Sequence, residues 1–136
     1  MFRPYDQSQQ YLLPPRLQDF VDDGHPAHVV NYLVDQLDIS VLETRYGNLG
    51  QPAYHPRLML KVILYGFTVG IFSSRKLQRA CQENLAFKYL AGMETLVFRT
   101  FIEFRQRHLE DMKGVFVQTA QLARELGLVR LGAVTL

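Results

Sequence analysis

The stretch that decides the fold is residues 54–92, which read YHPRLMLKVILYGFTVGIFSSRKLQRACQENLAFKYLAG. Pro56 suits the first turn of a helix, because its missing N–H would have no partner there. Apolar side chains lie on nearly every face of the helix that follows, which predicts a buried central helix. Gly66 and Gly70 weaken or end it.

Helical patterns lie on both sides of this central helix. After it, apolar residues recur at helical spacing over 75–82 and 85–90, and a serine precedes the first of these segments. Before it, the pattern predicts helices over 16–21, 26–37 and 40–46. Each predicted helix is short and amphipathic, so each must pack against the others to be stable.

The last helix of the pattern is the longest. Thr100 and Glu103 have the spacing of a capping box, which predicts a helix start there. Apolar spacing then continues to Leu126, with Gly127 as the stop. Residues 128–136 have strand character, and a lone strand cannot satisfy its backbone groups. The expected fold is all-α: about six helices with a helix-turn-helix-like segment over 1–127, then a short strand-like tail.

Bulk composition predicts one soluble domain. The chain has 136 residues, of which 48% are hydrophobic, enough for a single core. Its only cysteine, Cys81, excludes an internal disulfide and fits a reducing cytoplasm. The N-terminus has no apolar signal core, and the most apolar run, 58–72, is shorter than the roughly 20 residues of a membrane span. A cytoplasmic protein without a membrane partner is expected.

Charge is distributed unevenly along a chain whose formal net charge is only +2. Residues 1–56 hold three basic and seven acidic residues, residues 57–107 hold nine and three, and residues 108–136 hold three of each. The basic middle segment can offer one charged face to a polyanion such as DNA.

Six basic residues are the candidate DNA contacts. Three of them lie on the helix over 75–82, where two or all three share one face. The other three lie at the start of the last helix, whose free N–H groups favour phosphate. The six residues are Arg75, Lys76 and Arg79, and Arg99, Arg105 and Arg107. The alternative is an ordinary solvated basic surface.

The sequence contains no motif that indicates an enzyme active site. The chain has no glycine-rich phosphate loop. His25 and His28 are three residues apart but have no nearby cysteine, so a structural role is favoured over a metal site. Cys81 has no evident partner that would activate it. The sequence therefore predicts no catalytic residue, no metal site and no cofactor in this chain.

The order of motifs resembles the N-terminal domain of DDE transposases from bacterial insertion sequences. The resemblance covers nearly the whole chain and is carried by Leu12-Leu13-Pro14-Pro15, by Tyr54-His55-Pro56-Arg57-Leu58-Met59-Leu60-Lys61, by Ser73-Ser74-Arg75-Lys76-Leu77, by Glu83-Asn84-Leu85-Ala86-Phe87 and by Phe104-Arg105-Gln106-Arg107-His108. One departure is that residues 92–100 lack the proline and aspartate usual before Arg99-Thr100. A second is that Phe101 stands where a smaller aliphatic residue is usual.

The resemblance implies that DNA binding and catalysis belong to different domains of the transposase. The helical part binds the transposon ends, and an RNase H-like domain supplies three carboxylates that hold divalent metal. The first of these carboxylates would follow a stretch like residues 132–136. Residues 128–136 are therefore expected to be the start of a catalytic domain missing from this sequence. No carboxylate in 1–136 would then inherit the catalytic role, and the chain would not be an enzyme on its own.

Two alternatives to DNA binding stay open. The chain could be a structural or dimerising helical domain, with the long helix after Thr100 as the contact between copies in a homo-oligomer. It could also be a non-functional remnant of a truncated transposase.

Overall fold

The computed structural model describes residues 1–8, 10, 16–44 and 54–127. Within these ranges the fold is all-α and contains no strand, which confirms the predicted fold class. A 3-10 helix, Leu17–Phe20, precedes the α-helices, which are α1 Pro26–Asp35, α2 Ser40–Thr44, α3 Pro56–Val69, α4 Ser74–Glu83, α5 Leu85–Leu90 and α6 Phe98–Glu125. The predicted strand-like tail, residues 128–136, lies outside the described residues, as does the domain boundary after Gly127.

Two helices begin with the same His-Pro pair. Pro26 and Pro56 each take the first helical position of α1 and α3. The imidazoles of His25 and His55 accept a hydrogen bond from the backbone N–H two residues further on, at 3.0 and 3.1 Å. Each histidine thus replaces the usual serine or aspartate cap, which explains why these helices begin where the prolines predict.

The core is centred on α3 and α5. Phe87 of α5 is fully buried, and its ring meets the edge of the Tyr65 ring with 4.9 Å between centroids. Phe101 of α6 is fully buried as well. The buried residues of α3 are Pro56, Met59, Leu60, Val62, Ile63, Tyr65 and Gly66, so the prediction of a buried central helix is confirmed.

The start of α6 differs from the capping-box prediction. The helix begins at Phe98, and Val97 makes no side-chain cap. The N–H of Phe98 instead donates to Oε1 of Gln78 on α4, at 2.7 Å. The prediction that Thr100 caps this helix is wrong. The helix begins two residues before Thr100, and the acceptor for the Phe98 N–H is the side chain of Gln78, which lies 20 residues before Phe98.

A kink divides α6 into two parts. His108 has non-helical backbone angles, φ −119° and ψ 17°, and is completely buried. Its ring packs against Phe104, with 4.8 Å between centroids. Beyond the kink, Met112, Val115 and Ala123 continue the buried stripe. The single long helix of the pattern is therefore two helical segments that meet at a buried histidine.

Smaller differences concern the N-terminal helices. The segment predicted as a helix over 16–21 forms only the four-residue 3-10 turn, and α1 ends at Asp35 rather than at residue 37. The structure describes α2 to Thr44, so the rest of the predicted 40–46 helix lies outside the described residues.

Candidate nucleic-acid interface

A sharp corner joins α3 to α4. The four residues 70–73 separate the two helices, whose directions differ by 98°. Gly70 adopts a left-handed conformation, φ +81°, that suits glycine. The N–H of Ile71 then donates to the carbonyl oxygen of Gly66 at 2.8 Å. These two features end α3 and fix the direction in which α4 leaves it.

Gly66 permits the close approach on which this corner depends. A Cβ at this position would lie 2.5 Å from the carbonyl oxygen of Ile71 and 2.9 Å from a methyl group of Leu77. No side chain fits there without moving the backbone. The sequence pattern indicates only that Gly66 weakens α3, whereas the structure shows that it lets α4 and the turn pack against α3.

The outer face of α4 is basic. Arg75, Lys76 and Arg79 are exposed, and Leu77 and Cys81 point into the core, as the helical spacing predicts. The N-terminal cap of α4 is Ser73, whose Oγ accepts from the backbone N–H of Lys76 at 3.1 Å. The Lys76 side chain takes no part in this bond, so its charge is available at the surface.

Arg75 also contacts α6. Its guanidinium carbon lies 4.0 Å from the centre of the Phe98 ring, a distance typical of a cation–π contact. This contact holds the start of α6 against the start of α4. Arg75 therefore combines an exposed charge with a packing role.

Arg105 lies over the corner between α3 and α4. One terminal nitrogen donates to the carbonyl oxygen of Phe72 at 2.6 Å, and the other donates to Oγ of Ser74 at 3.3 Å. Partial burial removes water from the guanidinium and lowers its pKa from the ordinary arginine value. Arg105 therefore ties α6 to the corner, a role that the sequence does not indicate.

The structure brings the two predicted basic clusters together. Arg75 contacts Phe98 and Arg105 contacts Ser74, so the α4 cluster and the start of α6 form one surface. Arg99 and Arg107 lie on the exposed side of α6. We call the exposed cations of α4, namely Arg75, Lys76 and Arg79, the α4 basic face.

Two other cations of the basic middle segment have structural partners. Arg57 donates to the carbonyl oxygens of Val34 and Leu37 at the end of α1. Lys61 forms an ion pair with Asp35, with 2.7 Å between the charged atoms. These contacts fasten α1 to α3. The exposed basic residues of this segment lie on α4 and α6.

The histidines and the cysteine have structural surroundings. His25 caps α1 and lies 3.5 Å from the Tyr65 hydroxyl, and His28 bridges the Tyr89 hydroxyl and the carbonyl oxygen of Val21. Burial raises the pKa of the Cys81 thiol to about 11, so little thiolate forms at neutral pH. In residues 1–8, 10, 16–44 and 54–127, no three metal-binding side chains come together.

Within the described part of the chain, no single helix has the length and apolar character to cross a membrane. In the same part of the chain, α3 and α4 taken together have the required length and apolar composition, but the pair is bent by 98°.

Comparison with known proteins gives one result that fits this architecture. The family described as Transposase domain (DUF772) matches residues 15–107, which is more than half of the chain. The match ends directly before His108, where α6 kinks. It includes the corner and the α4 basic face. No curated protein and no solved structure shows a significant match. The match to the family extends from the 3-10 helix through the first part of α6, and the chain therefore belongs to this transposase domain family.

Proposed function

We propose that this chain binds the ends of a transposable element through the α4 basic face, as the N-terminal part of a DDE transposase of a bacterial insertion sequence. The observation that carries the proposal is the exposed position of Arg75, Lys76 and Arg79 on the second helix of a right-angled helix pair. DNA cleavage and joining would belong to the RNase H-like domain that the resemblance implies, and not to this chain.

The corner has the dimensions of a helix-turn-helix. Such motifs join two helices at about 90–120° through a turn of three or four residues that often contains glycine. Here the angle is 98°, and residues 70–73 include Gly70. In this motif the N-terminal residues of the second helix meet base edges in the major groove. Arg75 and Lys76 lie in the first turn of α4, and Arg79 lies one turn further along the same helix.

Electrostatics favour the same face. Residues 57–82 contain five basic residues and no acidic residue. Duplex DNA carries one phosphate charge per about 1.7 Å of its axis, and each phosphate neutralised by lysine or arginine releases condensed counterions. A helix with three exposed cations, whose one carboxylate is Glu83 at its last residue, therefore suits a phosphate backbone on either side of the groove.

Lys76 is our choice for a phosphate contact. Lys76→Ala should weaken binding to all duplex sequences about equally and flatten the dependence of log affinity on log salt by about one unit. Fluorescence anisotropy with a labelled duplex of mixed sequence, titrated at several salt concentrations, measures both effects.

Lys113→Ala is the matched control for this substitution. Lys113 is an exposed lysine on the second part of α6, where it pairs with Glu110 at 3.4 Å, and its loss removes the same charge. The control should keep the parent slope. Equal slopes for the two variants would mean that the α4 basic face is only a solvated surface.

We expect Arg105 to contact a base, because arginine can bind a guanine edge through two hydrogen bonds, although its substitution will also loosen the corner. Its bond to Phe72 is exposed and its bond to Ser74 is partly buried, so Arg105→Ala should lower the free energy of unfolding by about 1–2 kcal/mol. Urea denaturation followed by circular dichroism measures this loss. Arg99→Ala, at an exposed position, should stay within about 0.5 kcal/mol of the parent. An Arg105→Ala protein with the same free energy of unfolding as the parent would show that the two bonds do not hold the corner in solution.

One observation favours contact between copies as a second candidate role. Leu109 and Val117, on the second part of α6, are both more than half exposed. This part of α6 lies beyond the residues that match the family. A concentration-dependent mass in analytical ultracentrifugation, lost in Val117→Lys, would support a homo-oligomer formed through this segment.

A further inference from the structure

An exposed group of phenylalanine rings lies at the corner between α3 and α4. Phe67 and Phe72 are 46% and 52% exposed. The centroid of the Phe67 ring lies 5.4 Å from that of Phe72 and 5.3 Å from that of Phe116 on α6. Apolar side chains exposed together on a small domain indicate a contact surface more often than isolated ones do.

The surroundings of Phe72 are cationic. The guanidinium of Arg105 donates to the carbonyl oxygen of Phe72 itself. Arg75 and Lys76 follow within four residues and are exposed. Residues 57–82, which include Phe72, contain no acidic residue, and the next one in the sequence is Glu83. The partner that fits an apolar ring among cations has a flat apolar face joined to negative charge, and a nucleotide has both.

We propose that Phe72 stacks on a DNA base at an unpaired or easily unstacked step, beside the DNA that α4 contacts. The inference rests on the proposed function and adds the kind of DNA that the domain prefers. Phe72 lies two residues before the first residue of α4, so a ring at this point reaches DNA at the edge of the groove that α4 would enter. Phenylalanine side chains inserted at base steps partly unstack them, and an unpaired base accepts the ring without that cost.

Phe72→Ala tests the preference. The parent protein should bind a duplex with one unpaired adenine more tightly than the fully paired duplex of the same sequence. Phe72→Ala should lose roughly tenfold in affinity for the duplex with the unpaired base, the scale of one base–aromatic stack. Its affinity for the paired duplex should change much less, and its salt slope should stay that of the parent. Phe20→Ala, another exposed phenylalanine, is the control and should keep the preference.

Phe72→Trp gives a second, direct readout. The chain contains no tryptophan, so the introduced indole is the only one, and stacking on a base quenches its emission. Quenching on addition of the duplex with the unpaired base, without quenching in Phe20→Trp, is the expected result. Circular dichroism confirms that each variant is folded.

The outcomes separate the two proposals. If the parent protein binds no duplex at all, the proposed function fails, and the base-stacking proposal fails with it. If it binds DNA but Phe72→Trp is not quenched and Phe72→Ala keeps the parent's affinities, only base stacking is overturned. A blue shift of the indole with vesicles containing phosphatidylglycerol, together with no response to DNA, would assign the surface to lipid instead.

Discussion

Gly66→Ala is expected to lower the free energy of unfolding by about 3 kcal/mol, the upper end of the usual cost of overpacking. The new methyl group would lie 2.5 Å from the carbonyl oxygen of Ile71, which is backbone, so the turn itself must move. That movement would also strain the hydrogen bond from Ile71 N–H to Gly66. Urea denaturation followed by circular dichroism measures the change.

Gly114→Ala is the matched control for this substitution. Gly114 also lies inside a helix, and an added Cβ would meet nothing within 4 Å. Alanine there should raise the free energy of unfolding by about 0.5–1 kcal/mol, because glycine is the poorer helix former. The two substitutions are therefore predicted to change the free energy of unfolding in opposite directions. A Gly66→Ala protein as stable as the parent would mean that α3 and α4 do not pack as closely as described.

Phe87→Ala is expected to cost about 3–5 kcal/mol, the range for removing a fully buried aromatic ring. Phe87 of α5 is 0% exposed, and its ring packs against Tyr65 of α3. For a small domain this loss approaches the whole free energy of unfolding. Thermal unfolding by circular dichroism should show either a large fall in Tm or no cooperative transition.

Phe67→Ala removes the same side chain from a half-exposed position at the corner. It should cost well under half as much as Phe87→Ala, because solvent already covers much of that ring. Equal costs for the two substitutions would mean that the Phe67 ring is as buried in solution as the Phe87 ring, which contradicts the exposed position described for Phe67.

The order of helices could be predicted from the sequence because local signals mark most of their ends. The His-Pro pairs at residues 25–26 and 55–56 mark the starts of α1 and α3. A serine marks the start of α4, because Ser73 is the N-terminal cap of that helix. These signals act within four residues of the position that they mark, so they are visible in a single sequence.

The start of α6 could not be predicted because its signal is not local. Thr100 and Glu103 fit a capping box, but the Phe98 N–H finds its acceptor on Gln78 of another helix. Spacing in the sequence does not show which side chains meet across the fold. The same reason explains the kink, because His108 leaves helical geometry at a site that only tertiary packing buries.

The candidate site was predicted as two separate clusters, and the fold makes them one surface. Helical spacing places the α4 basic face outward, but it cannot show that α6 runs alongside the corner. Two contacts make that connection, Arg75 over Phe98 and Arg105 to Ser74. Phe72 was not recognised from sequence, because an apolar residue beside a glycine turn is as consistent with the core as with the surface.

Site-specific crosslinking to DNA is the most direct test of the claim that α4 meets the duplex. Gln82 lies on the same face of α4 as Arg75 and Arg79, and Gln121 lies on the second part of α6; both are exposed. A photoreactive benzophenone amino acid at either position replaces a neutral side chain and leaves every cation in place. After irradiation with a mixed-sequence duplex, we predict a covalent protein–DNA product from position 82 and little from position 121. A product from position 121 with none from position 82 would contradict the account.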